Sequence, residues 1–222
     1  MSKIISFVKL DFMTIKAYLN AKQLSVLLTT VALVSFTEVN ASGIIMTFAF
    51  MGSLYPFIIG EKNNLDQLYC TLPMNKRNIV LGRYAFVLAF DVIALLVSTI
   101  LSIALPIILQ KPIHLQEQLL VNLILFLLVV FLQAIQLPIY FKLGYAKAKF
   151  MANLPFLLFL LAVILSSTFL GTLHPMVDLF INVFLWISMH QLLTFILVTI
   201  VWAVALFASY KISLRFYQKR GF

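Results

Sequence analysis

The stretch from Leu81 to Leu109 reads LGRYAFVLAFDVIALLVSTILSIALPIIL. Its charges are Arg83 at the start and Asp91 inside. About 20 mainly apolar residues in a helix cross a hydrocarbon core about 30 Å thick. This run is longer, so it predicts a transmembrane helix that tilts or projects beyond the bilayer. Outward from it, comparable runs lie at 23–39, 42–60, 119–141, 151–172 and 191–210. Together they predict an all-α integral membrane protein of six spans. Met176 to Ile187 is apolar apart from Asp178 and Asn182. It is too short to cross and reads as an interfacial or re-entrant segment.

Composition agrees. The chain has 222 residues, 63% hydrophobic and 10% charged, with a mean hydropathy of +1.08. A soluble domain carries about 25% charged residues, so lipid must be part of the solvent here. The gaps between runs are short, which predicts one membrane domain over 23–210 and no soluble domain. Cys70 is the single cysteine, which excludes an intrachain disulfide. Residues 1–22 lack a compact apolar core with a small-residue cleavage site, so they do not read as a cleaved signal peptide. Ile4, Ile5, Val8, Phe12, Ile15 and Leu19 instead form one stripe flanked by Lys9 and Lys16, as in an interfacial helix.

The basic residues test the span assignment. Lys3, Lys9, Lys16 and Lys22 precede the first span, and Lys62, Lys76, Arg77 and Arg83 follow the second. Lys142, Lys147 and Lys149 follow the fourth, and Lys211, Arg215, Lys219 and Arg220 mark a tail over 211–222. All fall on one face, against Lys111 alone on the other. Positive-inside bias makes the crowded face cytoplasmic, with both termini there. A seventh span at 176–187 would break the pattern. The formal charge of +9 thus sits at membrane edges, where it meets anionic lipid, and makes no nucleic-acid footprint.

Motifs for enzyme chemistry are missing. The sequence has no G-x-x-x-x-G-K-[ST] phosphate loop, no H-E-x-x-H and no G-x-S-x-G. His114, His174 and His190 map to the outer face, apart from one another, and read as polar interface residues rather than metal ligands. No metal and no cofactor is expected on this chain.

The longest polar segment between spans, Gly60 to Tyr84, reads GEKNNLDQLYCTLPMNKRNIVLGRY. Leu65, Leu68, Tyr69 and Leu72 share one face of a short helix. Pro73 should stop that helix, and Asn75 is placed to cap the next. The amphipathic helix either docks in a partner's groove or lies on lipid with Lys76, Arg77 and Arg83 as snorkelling anchors.

Glu61, Leu68-Tyr69, Thr71-Leu72-Pro73, Arg77, Ile79-Val80 and Arg83-Tyr84 resemble the signature of ABC-2 type permeases. The likeness is greatest to the short six-span bacterial branch without a fused ATPase. The motif covers about 25 residues, and the six-span layout and basic tail extend the likeness over the chain. The resemblance implies an exporter permease whose ATPase, with its ATP and Mg, is a separate polypeptide. It implies a coupling helix within 61–75, where Glu61 and Arg77 supply polar contacts and Leu65, Leu68, Tyr69 and Leu72 apolar ones. It also implies a second permease copy or paralogue, an N-terminal interfacial helix that touches the ATPase, and short outer helices over 173–190. The expected substrate is amphipathic or hydrophobic: a peptide, lipid or antimicrobial. Among family members, the sequence is somewhat similar to permeases that export amphipathic cytolytic peptides such as phenol-soluble modulins.

Asp91 is the one acid deep in a span. It lies roughly 15 Å in, at about 1.5 Å per residue from Leu81, so it should face the bundle interior. Gln133, Gln136, Thr29 and Thr30 lie at similar depth, which predicts an intramembrane polar layer joining these spans. Pro56 and Pro138 are expected to kink spans two and four. The alternative functions are a non-transporting helper, immunity or sensor subunit, and an ion-coupled carrier using Asp91.

Overall fold

Apolar helices make up this protein, and the computed structural model describes residues 8–13, 25, 29–30, 41–63, 75–110, 115–169 and 191–219. Residues 8–13 are helical. They are followed by α1 (Ala41–Gly52), α2 (Tyr55–Lys62), α3 (Lys76–Ile108), α4 (Leu115–Leu143), α5 (Tyr145–Phe169) and α6 (Gln191–Lys219). Four stretches are long and apolar enough to cross a membrane: Gly43–Lys62, Lys76–Ile108, Leu115–Leu143 and Leu197–Lys219. They match the expected second, third, fourth and sixth spans, and α5 covers the expected fifth as far as Phe169. The first span, 23–39, lies outside the described residues except at 25, 29 and 30, as does the outer segment 173–190.

The second span is two helices. Ser53 and Leu54 form a turn between α1 and α2, and Pro56 stands in the first turn of α2. Proline lacks an N–H, so it costs least where a helix begins. A Cβ on Gly52 would stand 2.7 Å from the Phe90 ring, so glycine lets α1 approach α3 closely just before the break.

α3 is a single rod. Asn75 has extended backbone, and its side-chain oxygen accepts from the Arg77 N–H at 3.1 Å, the expected cap. At about 1.5 Å per residue, the 33 residues of α3 outreach a bilayer core. Pro138 and Pro155 lie inside α4 and α5, and neither ends its helix.

The link from α4 to α5 is one residue. Gly144 has φ 77°, a left-handed conformation open to glycine at low cost, and its N–H donates to the Tyr140 carbonyl at 2.9 Å. Lys147 and Lys149, expected in a loop, ride on the first turns of α5. The basic tail is likewise helical as far as Lys219, since α6 runs on to that residue. Charge marks where a helix leaves the hydrocarbon, not where it stops.

α4 is central and packs against α1, α3, α5 and α6, most extensively against α6. One apolar core, toward the basic end, joins Ile59, Val80, Phe86, Leu137, Phe141 and Tyr217. A second, toward the other end, joins Met46, Phe50, Ala94 and Val129. Ile100, Ile108, Ile124, Val201, Val204 and Phe207 are exposed, which gives the bundle a lipid-facing surface.

Candidate functional site

The end of α2 and the start of α3 hold the polar segment that the sequence singled out. Leu65, Leu68, Tyr69 and Leu72 lie outside the described residues. Glu61 is exposed, and its carboxylate accepts from the Ala146 N–H at 2.8 Å. That N–H is among the orphan donors of the first turn of α5, so an anion from α2 caps a different helix. Arg77 is exposed in the first turn of α3. The Lys76 ammonium reaches the Gln218 carbonyl near the end of α6 at 3.4 Å.

Arg83 departs from expectation. It is buried, not snorkelling: 5% is exposed, and its guanidinium lies 3.2 Å from the carboxylate of Asp11, itself 3% exposed. The guanidinium also stacks over the Phe57 ring, 5.2 Å from its centroid, and a Cβ on Gly60 would come within 3.2 Å of it. Burial pushes the Asp11 carboxyl above the usual carboxylate range, and the Arg83 charge pulls it part of the way back. The ion pair pins the N-terminal helical segment onto α3. Beside it, a cleft lined by Phe57, Glu61, Arg83, Tyr140, Gly144 and Tyr217 leaves about 20 Å³ to the centre of a water, enough for about one molecule.

Deeper in the bundle, the structure brings Asp91 and Gln133 together. The Gln133 amide donates to Asp91 Oδ1 at 3.0 Å and to Ser53 Oγ at 3.1 Å. Ser53 donates in turn to the Phe50 carbonyl at 2.9 Å. Gln136 turns elsewhere and donates to Asn153 of α5 at 2.8 Å. Three residues along a helix is an offset of about 60°, so two glutamines at one depth meet different neighbours. Thr29 gives its proton to the Ser25 carbonyl at 2.8 Å, a bond within its own segment. Thr30 is half-buried.

Two further polar clusters were not foreseen. Ser98 donates to Asn122 Oδ1 at 3.1 Å, and the Asn122 amide donates to Ser102 at 3.1 Å. The Tyr84 hydroxyl lies 2.6 Å from Ser209 Oγ and 2.8 Å from Ser213 Oγ, and Ser209 donates to the Ala134 carbonyl at 2.5 Å. The proton order follows: Ser213 to Tyr84, Tyr84 to Ser209, Ser209 to α4. The signal was in the spacing. Tyr84, Asp91 and Ser98 recur every seven residues, about two turns, on one face of α3, and Ser209 and Ser213 stand one turn apart.

Residues 6–218 match the family model described as ABC-2 family transporter protein. No curated protein and no solved structure matches the chain. The chain belongs to the ABC-2 family: it is a multi-pass transmembrane subunit of an ABC transporter, a transport component whose family works with an ABC ATPase.

Proposed function

We propose that this ABC-2 family chain is the permease of an exporter driven by a separate ATPase, which docks on residues 64–74. The observation that carries the reading is how that segment is held. Before it, α2 ends with Glu61 capping α5 at Ala146. After it, Asn75 caps α3, an unbroken rod from Lys76 to Ile108 that Arg83 ties to Asp11. Force applied between two such anchors is delivered to the membrane helices instead of being absorbed in a loose loop. Leu65, Leu68, Tyr69 and Leu72 supply the apolar face for the ATPase groove, with Arg77 beside them.

The basic end of the bundle is the cytoplasmic one, by its lysines and arginines. The substrate is amphipathic or hydrophobic. Supporting this, Asp11, Arg83 and Asp91 are the buried ionisable residues among those described that could carry a charge at neutral pH, so the interior offers few fixed charges to a polar solute. A second permease copy or paralogue completes the transporter.

The test is reconstitution with a candidate ABC ATPase from the same genome. The permease should stimulate ATP hydrolysis, and Leu68→Ala with Tyr69→Ala should abolish the stimulation while leaving the permease folded. Unchanged stimulation in a folded double variant would remove the coupling assignment.

A further inference from the structure

Asp91 is fully buried, 0% exposed, and every donor described around it is spent. Both Gln133 amide hydrogens are used, one on Asp91 Oδ1 and one on Ser53, and the Ser53 hydroxyl proton goes to Phe50. Two buried acceptors remain without a donor: Asp91 Oδ2 and Gln133 Oε1. They belong to the two side chains already joined by the Gln133–Asp91 hydrogen bond.

The sequence supplies no cation at this depth. Lys, Arg and His are absent between Lys22 and Lys62, Arg83 and Lys111, His114 and Lys142, Lys149 and His174, and His190 and Lys211. No span therefore carries a basic residue near its middle. Among the elements packed on α3, α1 has no titratable side chain. On α4 the titratable groups are Glu117, Tyr140 and Lys142, toward the ends; on α6 Tyr210, Lys211, Arg215, Tyr217 and Lys219 all lie at the basic end. On α3 itself Tyr84 is two turns away and bound to Ser209 and Ser213. A carboxylate here would be a buried charge with one hydrogen bond and no counter-ion, which the hydrocarbon strongly disfavours.

We propose that Asp91 is a proton-binding site: the side chain is the neutral acid, with its proton on Oδ2 directed at Gln133 Oε1. Acid and amide then form a two-point pair, each donating once to the other. A single proton, taken up from water by the carboxylate, supplies both leftover acceptors without any redox step. Because the second amide hydrogen holds Ser53, the proton also completes a clamp of α3 and α4 on the break between α1 and α2. The ligand is a proton rather than a metal ion, since the two free oxygens alone would make too small a coordination set. This inference goes beyond the exporter reading and stands independently of it.

The experiment is infrared spectroscopy of the full-length protein in lipid nanodiscs, with isotope-labelled aspartate side-chain carboxyls. A protonated-carboxyl band should be present at neutral pH. It should be lost in Asp91→Asn and retained in Asp11→Asn, Asp66→Asn and Asp178→Asn. Only carboxylate bands in the unmutated protein at neutral pH would overturn the assignment. A second arm uses thermal unfolding. The Asp91→Asn amide can accept where Oδ1 accepts and donate where the acid proton donates, so its unfolding temperature should stay near that of the parent. Asp91→Leu, which strands Gln133, should show a clear loss. An Asn variant as unstable as the Leu variant rules the neutral pair out.

Discussion

Asp11 and Arg83 are unequal partners. An aspartate left alone in a buried site can take up a proton, whereas a guanidinium stays charged. Asp11→Leu should therefore cost about 3–5 kcal/mol, the range for stranding one member of a buried pair. Arg83→Met should cost less. Removing Arg83 also removes the charge that holds the Asp11 carboxyl down, so burial pushes that group further above its ordinary value of 3.8. A group whose folded-state value is raised contributes stability that is full at acid pH and falls as pH rises through that value. The unfolding temperature of Arg83→Met should accordingly fall between acid and neutral pH more steeply than that of the parent, and Asp11→Leu should show no such added slope. Unfolding scans across pH in lipid nanodiscs measure both. Nothing in hydropathy marked Asp11 as a partner, because it sits among residues that pattern as an interfacial stripe. Asp91 was legible because a lone acid deep in an apolar run must be accommodated in the interior.

Among the helices, the joints carry the predictions. Gly144→Ala places a Cβ in a left-handed conformation and should cost about 1–2 kcal/mol, read from the unfolding temperature. Tyr84→Phe removes the middle hydroxyl between Ser213 and Ser209 and should cost about 1–3 kcal/mol, as for a buried group left unpaired. α6 should loosen from α3 in that variant, with faster amide exchange near Ser209 and Ser213. The long helices were readable from their apolar length, and the Asn75 cap from residue type and position. The break in the second span was half-readable: Pro56 signalled a kink, but no local signal marked the turn at Ser53–Leu54, which lies beside the close approach of Gly52 to Phe90 across helices. Hydropathy marks the apolar runs 151–172 and 191–210, whereas α5 begins at Tyr145 and α6 runs on to Lys219, because lysines are good helix formers and a helix continues where the membrane ends. Gln136 was assigned to the Asp91 layer from depth alone, and depth does not say which side of a helix a residue is on.

At the scale of the molecule, orientation is testable with one native thiol. Cys70 is the single cysteine and lies in the segment between α2 and α3, so the natural chain carries its own reporter. A membrane-impermeant maleimide should modify Cys70 in inside-out vesicles and leave it untouched in right-side-out ones. Ile113→Cys in a Cys70→Ser background should give the opposite result. Reversal of the two patterns would invert the topology drawn from the basic residues. The two ends of the 64–74 segment do not lead to the same place. Its far end is continuous with α3, whereas Glu61 at its near end grips the first turn of α5, and the chain passes from α4 to α5 through Gly144 alone. A load applied to that segment is therefore split, with one branch driven along a stiff shaft and the other turned through a single-residue elbow. Cutting the second branch with Glu61→Ala, which removes the acceptor of the Ala146 N–H, should leave the shaft intact, so the two halves of the stroke can be separated by one substitution.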